Sequence, residues 1–325
     1  MAKVDVYEIV NNEIVKRMEN GIIPWVRPWK SAKNEGRLTE FYLFECRKYR
    51  DGGLYSLLNQ FLLGEDGVYL TFNEARKAGG HVKKGAKSRT VVYWSFIEKD
   101  ELDEDGKPVL DKEGKPKKVS QPFLRYYNVF NIKDCEGVKE KKWMKQEKAE
   151  KEMPTEIGDV TEEIMNAEKI LLDYVAREGI HFRKQEGKGA YYRPSTDEVV
   201  VPLDEQFKSQ EFRMSVWSHE LTHSTGAENR LNRFTGEEKN AAFGSATYSK
   251  EELVAEIGSA TLLRNFGIDT NKTLENSTAY IQNWLSVLKN DKKMLVSAAG
   301  RAEKAVKMIL NITNEPKETE SEEEQ

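Results

Sequence analysis

The run His219-Glu220-Leu221-Thr222-His223 holds two of the four histidines in this 325-residue chain. Four residues apart on a helix, two imidazoles share one face, one turn apart. That spacing lets two nitrogens meet one Zn2+ at about 2.0–2.1 Å. Glu220 follows the first histidine, where a carboxylate can take a proton from an attacking water and pass it to a leaving amine. The chemistry indicated is that of a zinc metallopeptidase. Two blander readings stay open: a helix with two surface histidines, and a site that keeps the shape without the activity.

A catalytic zinc needs a third protein ligand. After His223 the chain reads Ser-Thr-Gly226-Ala-Glu-Asn229, so Asn229 stands where a metzincin has its third histidine, and no histidine follows. A glutamate from a following helix is the other solution. In Glu251-Glu252-Leu-Val-Ala-Glu256, Glu252 and Glu256 are four apart and share a face. Glu252 is assigned as the third ligand, with Glu256 the alternative. Glu256 is otherwise expected to hydrogen-bond a ligand histidine from one turn further on. The pattern resembles that of the thermolysin-like gluzincins. Tyr191, Tyr192 and Tyr248 could polarise a scissile carbonyl, although each is more often a packing residue. Strand 198–202 could serve as an edge for an extended peptide.

These side chains need helices over about 208–225 and 249–266. Ahead of them the pattern predicts a helix at 161–178 and strands near 180–183, 190–194 and 198–202. A long helical segment, 274–311, breaks near Asn290. The first half opens with an amphipathic helix over 5–20, closed by Gly21. A second helix is expected at 54–63, a short one at 73–78, and strands at 68–72, 90–97 and 123–130. Residues 99–118, rich in Lys, Asp, Glu, Gly and Pro, read as a long hairpin loop or mobile insertion. The fold class is α+β, with a curved antiparallel sheet in the first half. Charge runs over 139–153 place a boundary there: residues 1–145 form one domain, 146–158 a linker, 159–312 a second domain, and 313–325 a disordered acidic tail.

Composition narrows the function. A net charge of −4 excludes a chain that is basic throughout, so any nucleic-acid surface must be local. Cys46 and Cys135 make no disulfide framework, the start lacks a signal-peptide core, and no membrane-spanning run exists. A cytoplasmic protein is expected. The local basic surface lies at Arg76, Lys77, Lys83, Lys84, Lys87, Arg89 and Lys99. Tyr69, Phe72, Tyr93, Trp94, Phe96, Tyr126, Tyr127 and Phe130 interleave with it. Cations for phosphates and rings for bases are the chemistry of single-strand binding. Strand aromatics in a core and solvated lysines are the ordinary alternative.

The whole chain resembles the ArdC-type antirestriction proteins of mobile elements. The resemblance rests on Ile23-Pro-Trp-Val-Arg-Pro-Trp29, Tyr69-Leu-Thr-Phe72, Gly79-Gly-His-Val-Lys-Lys-Gly85, Val91-Val-Tyr-Trp94 and Tyr126-Tyr-Asn-Val-Phe130. In the second half it rests on Ala190-Tyr-Tyr-Arg-Pro-Ser-Thr-Asp197, His219-Glu-Leu-Thr-His223 and Glu251-Glu-Leu-Val-Ala-Glu256. It implies an N-terminal domain that binds single-stranded DNA and a C-terminal zincin-like metallopeptidase domain, read from the Glu252 and Glu256 pattern as gluzincin-like, in proteins that protect incoming DNA from restriction. The candidate DNA contacts are Trp25, Trp29, Arg76, Lys83, Lys84, Lys87, Arg89, Tyr93, Trp94 and Tyr126. Tyr49-Arg-Asp-Gly-Gly-Leu-Tyr-Ser56 departs from the Gly-Ile-Asn turn usual in the family. Three hypotheses follow: a DNA-associated zinc peptidase with a protein or peptide substrate, a DNA-coating protein with a vestigial or structural zinc site, and a cytosolic protease with no DNA role.

Overall fold

The computed structural model describes residues 5–25, 44–103, 107–110, 112–145, 160–187, 189–234, 246–268 and 278–312. The expected linker over 146–158 and the acidic tail lie outside these residues.

Helix α1 (Val6–Glu19) starts where the Asp5 side chain accepts a hydrogen bond from Tyr7 N, and it buries Val10, Ile14, Val15 and Met18. Strand β1 (Cys46–Lys48) is followed by α2 (Leu57–Leu63), shorter than the expected 54–63 because Leu54 bridges to Arg47. Gly64, at φ 69°, ends α2, and Arg17 from α1 donates to the carbonyls of Phe61 and Leu62 at 2.6 and 2.5 Å. Strand β2 (Gly67–Leu70) leads into α3 (Phe72–Lys77), which Thr71 and Glu74 start with a reciprocal capping box. The short strands β3 (His81–Val82) and β6 (Cys135–Glu136) pair with each other beside this helix.

Strands β4 (Arg89–Asp100) and β5 (Lys118–Asn131) are longer than expected and pair antiparallel along the whole of β4, from Arg89 opposite Val129 to Asp100 opposite Lys118. The sheet order is β1-β2-β5-β4. It is antiparallel except at β1 and β2, which run parallel. The insertion after β4 continues the ribbon: Glu101 N donates to Lys117 O and Val109 N to Glu101 O. Asn59 of α2 completes the edge of β4, exchanging hydrogen bonds of 2.7 and 2.8 Å with the Val92 backbone.

The second half opens with α4 (Val160–Glu178), then β7 (His181–Gln185), β8 (Tyr191–Arg193) and β9 (Glu198–Pro202). Strand β9 is central, parallel to β7 and antiparallel to β8. This corrects the expectation that 198–202 offers an edge: both sides of β9 carry ladder bonds, and the outer strands are β7 and β8. Helices α5 (Gln210–Ser224), α6 (Ala246–Asn265), α7 (Thr278–Asn290) and α8 (Met294–Ile309) follow. The break expected near Asn290 is the Asp291 turn, whose side chain accepts from Lys293 N.

The two halves share a core. Val10 and Ile14 of α1 and Leu57 and Phe61 of α2 cluster with Leu253, Val254 and Ile257 of α6 and Trp284 of α7. Trp25 sits between Phe61 and Trp284, with ring centroids 6.4 and 6.3 Å away. Asn11 donates to Leu288 O at 3.0 Å, and Glu303 accepts from Leu57 N at 2.9 Å. A second cluster joins α4, β9 and α5 through Leu171, Val199, Val201, Trp217 and Leu221, and it takes Leu262 and Leu263 from α6. Helix α6 therefore packs on both halves.

Candidate metal centre

Helix α5 starts at Ser209, whose hydroxyl accepts from Phe212 N, and buries Met214, Trp217 and Leu221 against the small sheet. That leaves His219 and His223 on the side facing α6. The two helices approach closely at Gly258: a Cβ there would lie 2.6 Å from Thr222 Cγ2. Ser259 adds a hydrogen bond to Ser215 O at 2.9 Å. The close crossing brings the first turns of α6 over the histidines.

Three donors converge. His219 Nε2 and His223 Nε2 are 3.1 Å apart. The Glu252 carboxylate lies 3.5 Å from the first and 3.4 Å from the second. Donors held tetrahedrally about 2.0–2.1 Å from one cation would be about 3.3–3.4 Å from each other. The triangle has those dimensions, and among the described residues it is the group of histidine, cysteine and acidic side chains arranged to hold a metal ion. Two imidazole nitrogens and a carboxylate suit a divalent cation of borderline softness. Glu220 is buried beside the ligands, and its charge acts on His223.

The outer nitrogen of His223 has its own carboxylate. Glu251 Oε1 lies 3.4 Å from Nδ1. Glu251 is held in turn by Arg233, whose Nε and a terminal nitrogen reach its two oxygens at 3.1 and 2.6 Å. The role beside a ligand histidine that was expected of Glu256 is filled, for His223, by Glu251; Glu256 is a half-buried residue a turn further along α6. Burial works against a charged ring at His223, but hydrogen bonds to Glu251 and Glu252 outweigh it and raise its pKa to about 10. Burial likewise opposes ionisation of Glu252, and His219 and His223 outweigh it, so that carboxyl sits well below the usual range.

A second network braces the end of α5. Arg230 donates to Ser224 O at 2.8 Å and to both oxygens of Asp197, and Tyr192 donates to Asp197 at 2.9 Å. Tyr192 is thereby committed to Asp197 and Arg230. Tyr191 accepts from Arg193 at 3.1 Å, and the Tyr248 side chain lies outside the described residues.

The candidate DNA contacts divide. Trp25 is fully buried, which corrects its place among them: a ring enclosed by Phe61 and Trp284 offers no face to a base. Trp29 lies outside the described residues. Arg76, Lys83, Lys84 and Lys87 are exposed, with Lys83 donating to Lys133 O at 3.0 Å. Arg89 is half-buried and pairs with Glu65 at 2.9 Å. Tyr93 is half-buried against Tyr127, with ring centroids 5.7 Å apart. Trp94 and Tyr126 are exposed, and the register puts them on one face of the ribbon together with the exposed Phe96.

Residues 4–130 match the family model of the N-terminal domain of anti-restriction factor ArdC, and residues 167–301 match that of a zincin-like metallopeptidase. The crystal structure of the antirestriction protein ArdC from plasmid R388 is similar to this chain. Its metal-free form superposes with a TM-score of 0.64 at 27% identity, over 95% of this chain and 98% of that one. This chain is ArdC-like over nearly its whole length. The Mn(II)-bound form of R388 ArdC matches equally, with a TM-score of 0.64 at 26% identity. Two DNA primases TraC from Escherichia coli are 30% identical over 315 residues, 94% of this chain. This chain spans 20% of one TraC and 27% of the other. The protein y4eC of Sinorhizobium fredii is 28% identical over 301 residues, 92% of this chain and 89% of that one. The donor triangle lies within the segment that matches the zincin-like model, and its three residues could hold a divalent metal ion. No described helix is long and apolar enough to cross a membrane.

Proposed function

We propose that this chain protects incoming DNA of a mobile element, binding single strands through its first half and carrying a zinc-dependent peptidase site in its second. The observation that carries the reading is the triangle of His219, His223 and Glu252 with Glu220 beside it, in a chain whose other half is ArdC-like. When bound, the metal supplies Lewis acidity at the scissile carbonyl. Glu220 takes the proton of the attacking water and returns it to the leaving amine nitrogen. Catalysis needs that base, whereas a closed structural site does not.

For DNA, the exposed face bearing Trp94, Phe96 and Tyr126 offers rings on which bases can stack. Arg76, Lys83, Lys84 and Lys87, in the segment leading to β4, supply cations for phosphates. The TraC relatives are DNA primases by name, which fits a DNA-handling setting for the matched segment. The test is anisotropy of a fluorescent single-stranded oligonucleotide with the full chain across a salt series, with duplex as competitor. Binding that prefers single strands and weakens steeply with salt supports the reading. Absence of binding at low salt removes the DNA role and leaves a metal site in search of a peptide.

A further inference from the structure

The segment after α5 does more than connect two helices. From Thr225 it folds back on itself: Leu231 N donates to Thr225 O at 3.0 Å and Arg233 N to Gly226 O at 2.9 Å. Gly226 permits this fold, since a Cβ there would lie 2.7 Å from the Phe234 ring. The result is that Arg233, ten residues beyond His223 in sequence, returns beneath it. Its guanidinium is buried, with 5% of the side chain exposed. It donates to Thr225 Oγ1 at 2.6 Å, to Thr222 O at 2.9 Å and to both oxygens of Glu251. Five N–H donors in a rigid plane are thus anchored to α5 on one side and to α6 on the other.

We infer that Arg233 and Glu251 form a positioning relay that sets the metal affinity of the centre through His223. The inference rests on the reading of His219, His223 and Glu252 as metal ligands. Glu251, two-pronged on Arg233, can accept only a proton-bearing nitrogen from the imidazole, so it selects the tautomer with hydrogen on Nδ1. When a metal is bound, Nε2 of His223 gives up its proton and its lone pair points into the triangle formed with His219 and Glu252. Free Glu251 from Arg233 and its carboxylate no longer has one orientation, and the ring loses both its tautomer and its angle. Partners of this kind around a metal ligand change affinity by about 10–100-fold. Arg233 reaches the imidazole through Glu251, while its bonds to Thr222 O and Thr225 Oγ1 hold the end of α5, so for metal affinity removing both should cost no more than removing one.

The test uses the full chain, stripped of metal and titrated with Co2+ and Mn2+. It compares the wild type with Glu251→Ala, Arg233→Met, the double variant and Glu251→Gln. The expected result is a loss of about 10–100-fold in affinity for either single variant, and no further loss in the double. The Co2+ absorption bands should shift in both singles. Glu251→Gln, which keeps an acceptor for Nδ1–H, should recover part of the affinity and most of the wild-type spectrum. Melting of the metal-free proteins identifies a variant that does not fold, and Glu251→Gln then decides. Wild-type affinity in the singles, or losses that add in the double, overturn the relay. A wild-type chain that takes up neither ion overturns the metal reading and the relay with it, an outcome distinct from variants that bind as the wild type does.

Discussion

Leu253 follows Glu252, the carboxylate of the candidate metal triangle, in sequence, and it is fully buried in the cluster that α1 and α2 also line. One turn of α6 therefore presents a carboxylate to the metal centre and an apolar side chain to the first half of the molecule. The position of Glu252 depends on packing supplied by both family domains.

The shared core makes the first half sensitive to residues of the second. Trp284→Ala removes the edge-on partner of Trp25. A loss of about 3–5 kcal/mol is expected for an aromatic-to-alanine change at such a site. Urea unfolding of the full chain gives the figure, and a loss under 1 kcal/mol would mean the two halves do not support each other there.

Metal binding should depend on Glu252. In Glu252→Ala the two imidazoles keep their 3.1 Å separation without the carboxylate that completes the triangle. Tight binding of one equivalent of metal is expected to disappear, while far-ultraviolet circular dichroism stays unchanged. Elemental analysis after dialysis reads the stoichiometry, and one retained equivalent would show that another residue is the third ligand.

Glu220→Gln separates chemistry from binding. The amide keeps the shape of the side chain but takes no proton. Peptide hydrolysis, or protection from restriction if that needs hydrolysis, should fall by about 10²–10⁴-fold. Metal content and oligonucleotide affinity should match the wild type. Full protection by the variant would place the function in DNA binding alone.

The ribbon face predicts a further separation. Replacing Trp94 or Tyr126 by alanine should weaken single-strand binding by about 1–3 kcal/mol per stacked base, with little change in the salt slope. Replacing Lys84 and Lys87 should lower the slope of log affinity against log salt instead. Anisotropy on the four proteins distinguishes rings from cations; equal effects from both kinds of change would argue against a stacking face.

Acid stability should report the brace at the end of α5. Burial opposes ionisation of Asp197, but hydrogen bonds from Arg230 and Tyr192 prevail and lower its pKa. A carboxyl with a lowered folded pKa contributes stability that is complete above the unfolded value, about 3.9, and lost as pH falls through the folded value. Asp197→Asn keeps a residue tolerant of the φ of 48° found there. The variant should be less stable than the wild type at pH 7, with the gap closing below about pH 4. A gap that stays constant from pH 7 to 2 would remove the ion pair as its cause.

What could be read from the chain beforehand was local. The i, i+4 placement of His219 and His223 follows from helical period, as does the apolar stripe of α1, and neither depends on where other elements lie. The strands β4 and β5 were legible from their β-branched and aromatic runs, although not their full length, because the polar insertion pairs through its backbone. The choice among Glu251, Glu252 and Glu256 was set by the crossing of α5 and α6 at Thr222 and Gly258, a contact that no spacing within one helix specifies. Trp25 belongs to a motif that points to DNA by resemblance, yet its surroundings come from α2 and α7, the latter more than 250 residues away in sequence. Arg233 carries no signal at all in the chain, since its partners are assembled by a turn after α5 and a helix that begins beyond it. Sequence determined which side chains share a face of one element, because covalent geometry and hydrogen-bond period are short-ranged. Tertiary structure decided which faces meet, because that depends on how apolar surfaces from distant segments are buried together.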